Sequence, residues 1–81
     1  MKRANVITDI DIKDFDVLPV RELYKAKPRS YVQLPLTKHV FYFDHIDGAY
    51  SYCIDMLGDV TNLAAWTPVH PLVRKESPDA V

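Results

Sequence analysis

The stretch FYFDHIDGAYSYC, residues 41–53, decides the fold because it sets six aromatic rings, His45 included, around one Asp-Gly pair. Asp47-Gly48 supplies residue types that accept the two positive φ angles of a type I′ turn, whose twist matches that of paired strands. With these two residues as the loop, Ile46 faces Ala49 and the register follows by counting. His45 then stands opposite Tyr50, Asp44 opposite Ser51, Phe43 opposite Tyr52, Tyr42 opposite Cys53 and Phe41 opposite Ile54. Because side chains alternate faces along a strand, one face is expected to collect Phe41, Phe43, His45, Tyr50, Tyr52 and Ile54 as a core wall. The other collects Val40, Tyr42, Asp44, Ser51, Cys53 and Asp55, with Tyr42 turned outward among polar neighbours.

Gly58, in MLGD, reads as a second tight turn, and VTNLAAW (60–66) as the next strand. TPVHPLV (67–73) is expected to be extended, since a residue before proline is pushed out of the helical region, and its two prolines confine it to a sheet edge. Upstream, SYVQLPL (30–36) alternates as a strand closed by Pro35. VLPVRELYKAK (17–27) is the one helical candidate, a short helix or a single turn, with Asp16 able to cap it and Pro19 tolerated in its first turn. Short strands at spacings of about ten residues, tied by tight turns, predict an all-β, mainly antiparallel fold. It is either a small barrel or a strongly twisted sheet, with a helical turn near residues 18–26. Residues 1–16 form an N-terminal arm or an extra strand, 17–75 the domain, and 76–81 a frayed tail.

At 81 residues, 48% of them apolar and 11% aromatic, the chain is one globular domain with a small core. One cysteine excludes an internal disulfide framework and favours the cytoplasm, and no apolar run marks a signal peptide or a membrane span. The net charge of −1 conceals a segregation: residues 21–38 hold five Lys/Arg against one Asp/Glu, and residues 39–72 hold four Asp and no Lys/Arg. That balance argues against nucleic acid as a partner, which demands a broadly basic surface, while leaving room for a local basic patch.

The residues offer little catalytic chemistry. DIDIKD (9–14) approaches a calcium loop but has Lys13 at the third ligand position, Asp14 in place of glycine and Val20 in place of the closing glutamate. It is expected to be a solvated, charged strand edge. His39, His45, His70 and Cys53 lack zinc spacing, and the register puts Cys53 on the face opposite His39 and His45, which also separates a Cys-His nucleophile pair. Gly48 and Gly58 are each used by a turn, leaving no glycine-rich phosphate loop. No metal, cofactor or enzymatic activity is therefore expected. The cluster RELYKAKPRSY (21–31) is different, interleaving phosphate donors with stacking rings. The candidate ligand-binding residues are Tyr24, Lys25, Lys27, Arg29 and Tyr31, joined by the outward Tyr42 and by Trp66.

The segment VFYFDHIDGAYSYCIDMLGDVTNLAAWTPVHPL resembles a group of small bacteriophage-encoded proteins with a DH-I/V-DG-x-YSYC hairpin, a Gly-Asx turn and a closing LAAWT-x-V strand. The resemblance covers about residues 39–72 and implies a Src-homology-3-like barrel, opened by a V-x-x-L turn that Val20-Arg21-Glu22-Leu23 matches. Pro28-Arg29-Ser30 departs from it, standing where such chains commonly have a glycine. It brings no functional residue with it, but it implies a phage setting, in which small proteins often disarm host defences. The expectation is then a non-catalytic, homo-oligomeric module that sequesters a nucleotide-derived anionic signal. The alternative is an inhibitor or adaptor that binds a host protein through its sheet edge and exposed aromatic face.

Overall fold

The structure, a computed structural model, describes residues 10–75. Seven strands run in chain order as β1 (Phe15–Val17), β2 (Arg21–Glu22), β3 (Ser30–Gln33), β4 (Val40–Asp47), β5 (Tyr50–Asp55), β6 (Val60–Thr61) and β7 (Pro68–Arg74). All pairings are antiparallel, in the spatial order β1-β7-β3-β4-β5-β6, with β2 also on β7. The end strands β1 and β6 do not pair, so the all-β expectation holds as an open sheet and the barrel alternative is corrected. Residues 1–9 and the tail 76–81 lie outside the described residues, as does Asp9 of the calcium-loop comparison.

The central hairpin departs from the expected register in two ways. Its loop is Gly48-Ala49, since Asp47 pairs with Tyr50, and only the first loop residue, Gly48, has a positive φ, of 65°. That is the φ pattern of a II′ turn with glycine leading, in place of I′. In addition, the register shifts between Phe43 and His45: His45 faces Tyr52, whereas Phe43 faces Cys53, so Asp44 and His45 together oppose Tyr52 as a β-bulge. Moving the loop by one residue changes the pairs but keeps the faces, and it is the bulge that inverts β5 relative to the first half of β4. Phe41 and Phe43 point inward and Tyr42 outward as expected. Ser51 and Cys53 are buried, while Tyr50 and Tyr52 are exposed and His45 is on the outside.

Packing explains why this arrangement wins. The core holds Leu23, Ala26, Val32, Phe41, Phe43, Cys53 and Val69, with Leu34, Ile46 and Leu63 packed on it. Two large rings from β4 meet two small residues from β5, which fills the space evenly. Placing Tyr50, Tyr52 and Ile54 there as well would overfill a small core and bury two hydroxyls that need partners.

Three further expectations are corrected. The proline-rich segment 67–73 is not an edge: β7 pairs with β1, β2 and β3. Pro68 opens the strand, and the Pro71 carbonyl accepts from the Leu18 N–H at 2.9 Å. A strand residue's N–H and C=O point to the same side, so the donor that Pro71 lacks would face the position just past the end of β1, outside the β3 ladder. The strand expected over 60–66 is only Val60–Thr61 plus a bridge between Tyr50 and Ala64. Beyond Thr61, side chains take over the ladder: Asn62 Nδ2 donates to Ser51 O and Ser51 Oγ to Leu63 O, both at 2.8 Å. Of the two readings of 17–27, a short helix or a single turn, the single turn holds, as a 3-10 turn at Leu23–Lys25, because the N–H groups of Leu23 and Tyr24 donate across the chain to Thr67 O and Ala65 O. Residues 12–14, expected as a strand edge, form a 3-10 turn whose cap is the Asp11 carboxylate, and Phe15–Val17 supply the extra strand.

Gly58 does make the second turn, with φ 92°; its N–H donates to Asp55 O at 3.0 Å. The Asp55 carboxylate accepts from the N–H groups of Leu57 and Asp59 at 2.9 Å each, tying the turn to its own side chain.

Candidate functional site

Because side chains alternate across the sheet, the face opposite the main core gathers Phe15, Tyr31, Tyr42 and Leu72. Tyr31 stands across from both Leu72 and Tyr42. The three rings form an edge-to-face chain, with centroids 5.3 Å apart for Phe15 and Tyr31 and 5.2 Å for Tyr31 and Tyr42. The Arg74 guanidinium carbon sits 4.6 Å from the centre of the Phe15 ring, within cation–π range. Arg74 directly faces Phe15 across the β1–β7 ladder, which is what places it there.

Arg29 reaches the same place by a different route. It has a φ of 58°, a left-handed conformation disfavoured for a side chain with a Cβ by roughly 1–2 kcal/mol. The conformation is fixed from both sides: the Arg29 N–H donates to Asp44 O at 3.2 Å, and Ser30 Oγ donates to Lys27 O. The turn thus swings the chain into β3 with Arg29 at its entry. Phe15, Arg29, Ser30, Tyr31, Leu72 and Arg74 line an open pocket of about 220 Å3. Among the described residues neither arginine is engaged by a carboxylate. Burial raises the Tyr31 phenol above its ordinary pKa, and the nearby positive charge of Arg74 acts in the opposite direction.

The candidate ligand-binding residues from the sequence fall into two groups. Arg29, Tyr31 and Tyr42 come together on this face. Tyr24, Lys25 and Trp66 belong to another part of the surface, near Tyr50. Lys27 is exposed in the segment between them. Sequence reasoning missed Phe15 and Arg74, whose contribution depends on β1 pairing with β7. Alternation within PLVR would have put Arg74 on the face of Leu72, but nothing local announces β1. It also missed the effect of the bulge, which sets His45 outside, stacked on Tyr52 at 5.5 Å and 10°, with Nδ1 2.6 Å from the Asp44 carboxylate.

Cys53 is fully buried, its Sγ 3.3 Å from Ser51 Oγ. Burial pushes the thiol pKa up, and the Ser51 hydrogen bond offsets this only in part. The folded protein is therefore expected to resist alkylating and disulfide reagents until denaturant is added, as thiol titration would show; prompt reaction in native buffer would contradict this burial. The sign for stability follows: with the folded-state pKa raised, this group's contribution is complete below the ordinary thiol pKa and is lost as pH climbs from there through the folded value. No three His, Cys, Asp or Glu side chains among the described residues converge as a metal site. No helix among them is long and apolar enough to cross a membrane.

No protein-family model, curated protein or solved structure matches the chain. Together with the open sheet, this corrects the assignment of residues 39–72 to the bacteriophage barrel group. The host-defence setting rested on that resemblance and goes no further.

Proposed function

We propose that this chain is a non-catalytic binding module for a small anionic ligand that carries a flat ring, of which a nucleotide-derived compound is the fitting class. The observation that carries this reading is the pair of arginines, Arg29 and Arg74, that line one pocket with Phe15 and Tyr31, the Arg74 guanidinium lying over the Phe15 ring. Arginine suits planar, bidentate recognition of phosphate or carboxylate, and the half-buried Tyr31 ring gives a flat ligand an apolar wall. At about 220 Å3 the pocket is smaller than the 300–1,000 Å3 typical of sites that enclose a whole drug-sized ligand. It therefore holds the anionic part or one ring, and the remainder of the ligand lies over Tyr42.

Binding without turnover is supported by the state of the two hydroxyls in the lining. Ser30 Oγ is committed to Lys27 O, and burial favours the protonated form of the Tyr31 phenol, so neither is poised as a nucleophile. The reading sets the module in the cytoplasm, supported by a single cysteine held as a buried free thiol.

Isothermal titration against AMP, ADP, ADP-ribose and cyclic dinucleotides tests the proposal. Saturable binding that weakens with salt is expected for at least one of them. Arg29→Ala and Arg74→Ala should each weaken it by roughly tenfold while leaving the circular dichroism unchanged. Silence across the panel at millimolar concentration, or affinity indifferent to both substitutions, would remove the idea.

A further inference from the structure

A second surface is built around Ala65. This residue is buried, its N–H donates to Ala49 O and its carbonyl accepts from the Tyr24 N–H, both at 2.9 Å. These bonds draw three separate parts of the chain together, and each delivers a ring to the outside: Tyr24 is 52% exposed, Tyr50 53% and Trp66 59%. The Tyr50 and Trp66 rings are 6.3 Å apart and tilted by 47°. Large rings held on a rigid backbone and left in water are what the anchors of a protein interface look like before the partner arrives.

Charge indicates what the partner brings. On the Tyr24 side, Arg21, Lys25 and Lys27 are exposed, with Lys25 Nζ 5.8 Å from the centre of the Tyr24 ring and 3.4 Å from the Glu22 carboxylate. On the Tyr50 and Trp66 side, the Asp47 carboxylate belongs to the residue paired directly with Tyr50, and the sequence from 39 to 72 has no Lys or Arg. A nucleic-acid strand carries a phosphate at every step and would meet the like charge of Asp47 beside Tyr50. A peptide carries charge only where its sequence puts it, so carboxylates can lie by Arg21 and Lys27 while an apolar side chain covers Trp66.

We propose that Tyr24, Tyr50 and Trp66 form a docking surface for an acidic segment of a partner protein, with carboxylates toward Arg21, Lys25 and Lys27 and an aromatic or leucine side chain against Trp66. This site is separate from the arginine cradle and does not depend on it.

Selection of a randomised dodecapeptide library on the immobilised full chain tests this, followed by fluorescence titration with the enriched peptides. Trp66 is the one tryptophan in the sequence, so its emission reports directly on the surface. The enriched peptides are expected to be rich in Asp and Glu around an aromatic residue or leucine and to shift Trp66 emission to the blue. By anisotropy of labelled peptide, Trp66→Ala should weaken binding about tenfold or more, and the Lys25→Glu, Lys27→Glu double substitution by a similar factor. Arg74→Ala should leave it unchanged. The proposal is overturned if no peptide is enriched, if the enriched peptides are basic, if Trp66→Ala binds them equally well, or if a single-stranded oligonucleotide binds more tightly than they do.

Discussion

Deletion of Asp44 is expected to abolish cooperative folding, whereas Asp44→Ala leaves a folded protein. The bulge is a count of residues before it is a chemical group: Asp44 and His45 share one partner, Tyr52, and this extra residue lets Phe43 and Cys53 point inward together. Without it the pairing past the bend slips by one, and every side chain on one arm changes faces. If β4 gives way, Phe41 and Phe43 turn to solvent, each losing about 1.5–3 kcal/mol of burial. If β5 gives way, Tyr52 and Ile54 enter a core now sized for Cys53 and Ser51, with overpacking costs of about 1–3 kcal/mol per site. Either sum is comparable with the roughly 4–12 kcal/mol by which a domain of this length is stable. Asp44→Ala keeps the residue count and removes only an exposed pairing with His45, worth about 1 kcal/mol or less. A sharp urea transition for the deletion variant, near that of the parent, would show that the bulge does not set the register.

The contrast between a residue count and a residue type also separates what could be read in the sequence from what could not. Gly58 was legible because a positive φ falls on the residue that tolerates it, with Asp55 placed to cap the turn. Phe41, Phe43 and Tyr42 were legible because strict alternation within one strand needs no partner. The bulge was not, since an extra residue in a ladder leaves no compositional mark; Asp44-His45 looks like any polar pair. The choice between helix and single turn for 17–27 and the central place of β7 were hidden for a related reason. Both depend on donors spent across the chain, from Leu23 and Tyr24 to the 65–67 loop and from Leu18 to Pro71. Of the candidate site, Arg29 and Tyr31 were visible as a basic and aromatic interleaving and Tyr42 as the outward ring of the hairpin. Phe15 and Arg74 come from the two far ends of the domain and meet only through the β1–β7 pairing.

Phe43→Ala and Tyr52→Ala should differ widely in cost, and that difference tests the hairpin without altering its length. Phe43 is completely buried at the centre of the sheet, among Leu23, Val32, Cys53 and Val69 of the same core cluster. Truncating it removes the ring and leaves a cavity that neighbours held by cross-strand hydrogen bonds cannot collapse to fill, a loss of about 3–5 kcal/mol. Tyr52 is 39% exposed on the other face, where its ring stacks on His45. Its loss removes one surface stacking contact and part of a burial, about 1 kcal/mol. In the loop register that Asp47-Gly48 alone would dictate, the two rings are opposite one another on the same inner wall, and the two truncations would cost nearly the same. Phe43→Leu calibrates the scale, since it keeps most of the volume and should cost well under half as much as alanine. Urea denaturation of the three variants measures all of this at once, and equal midpoints for Phe43→Ala and Tyr52→Ala would return both rings to one face.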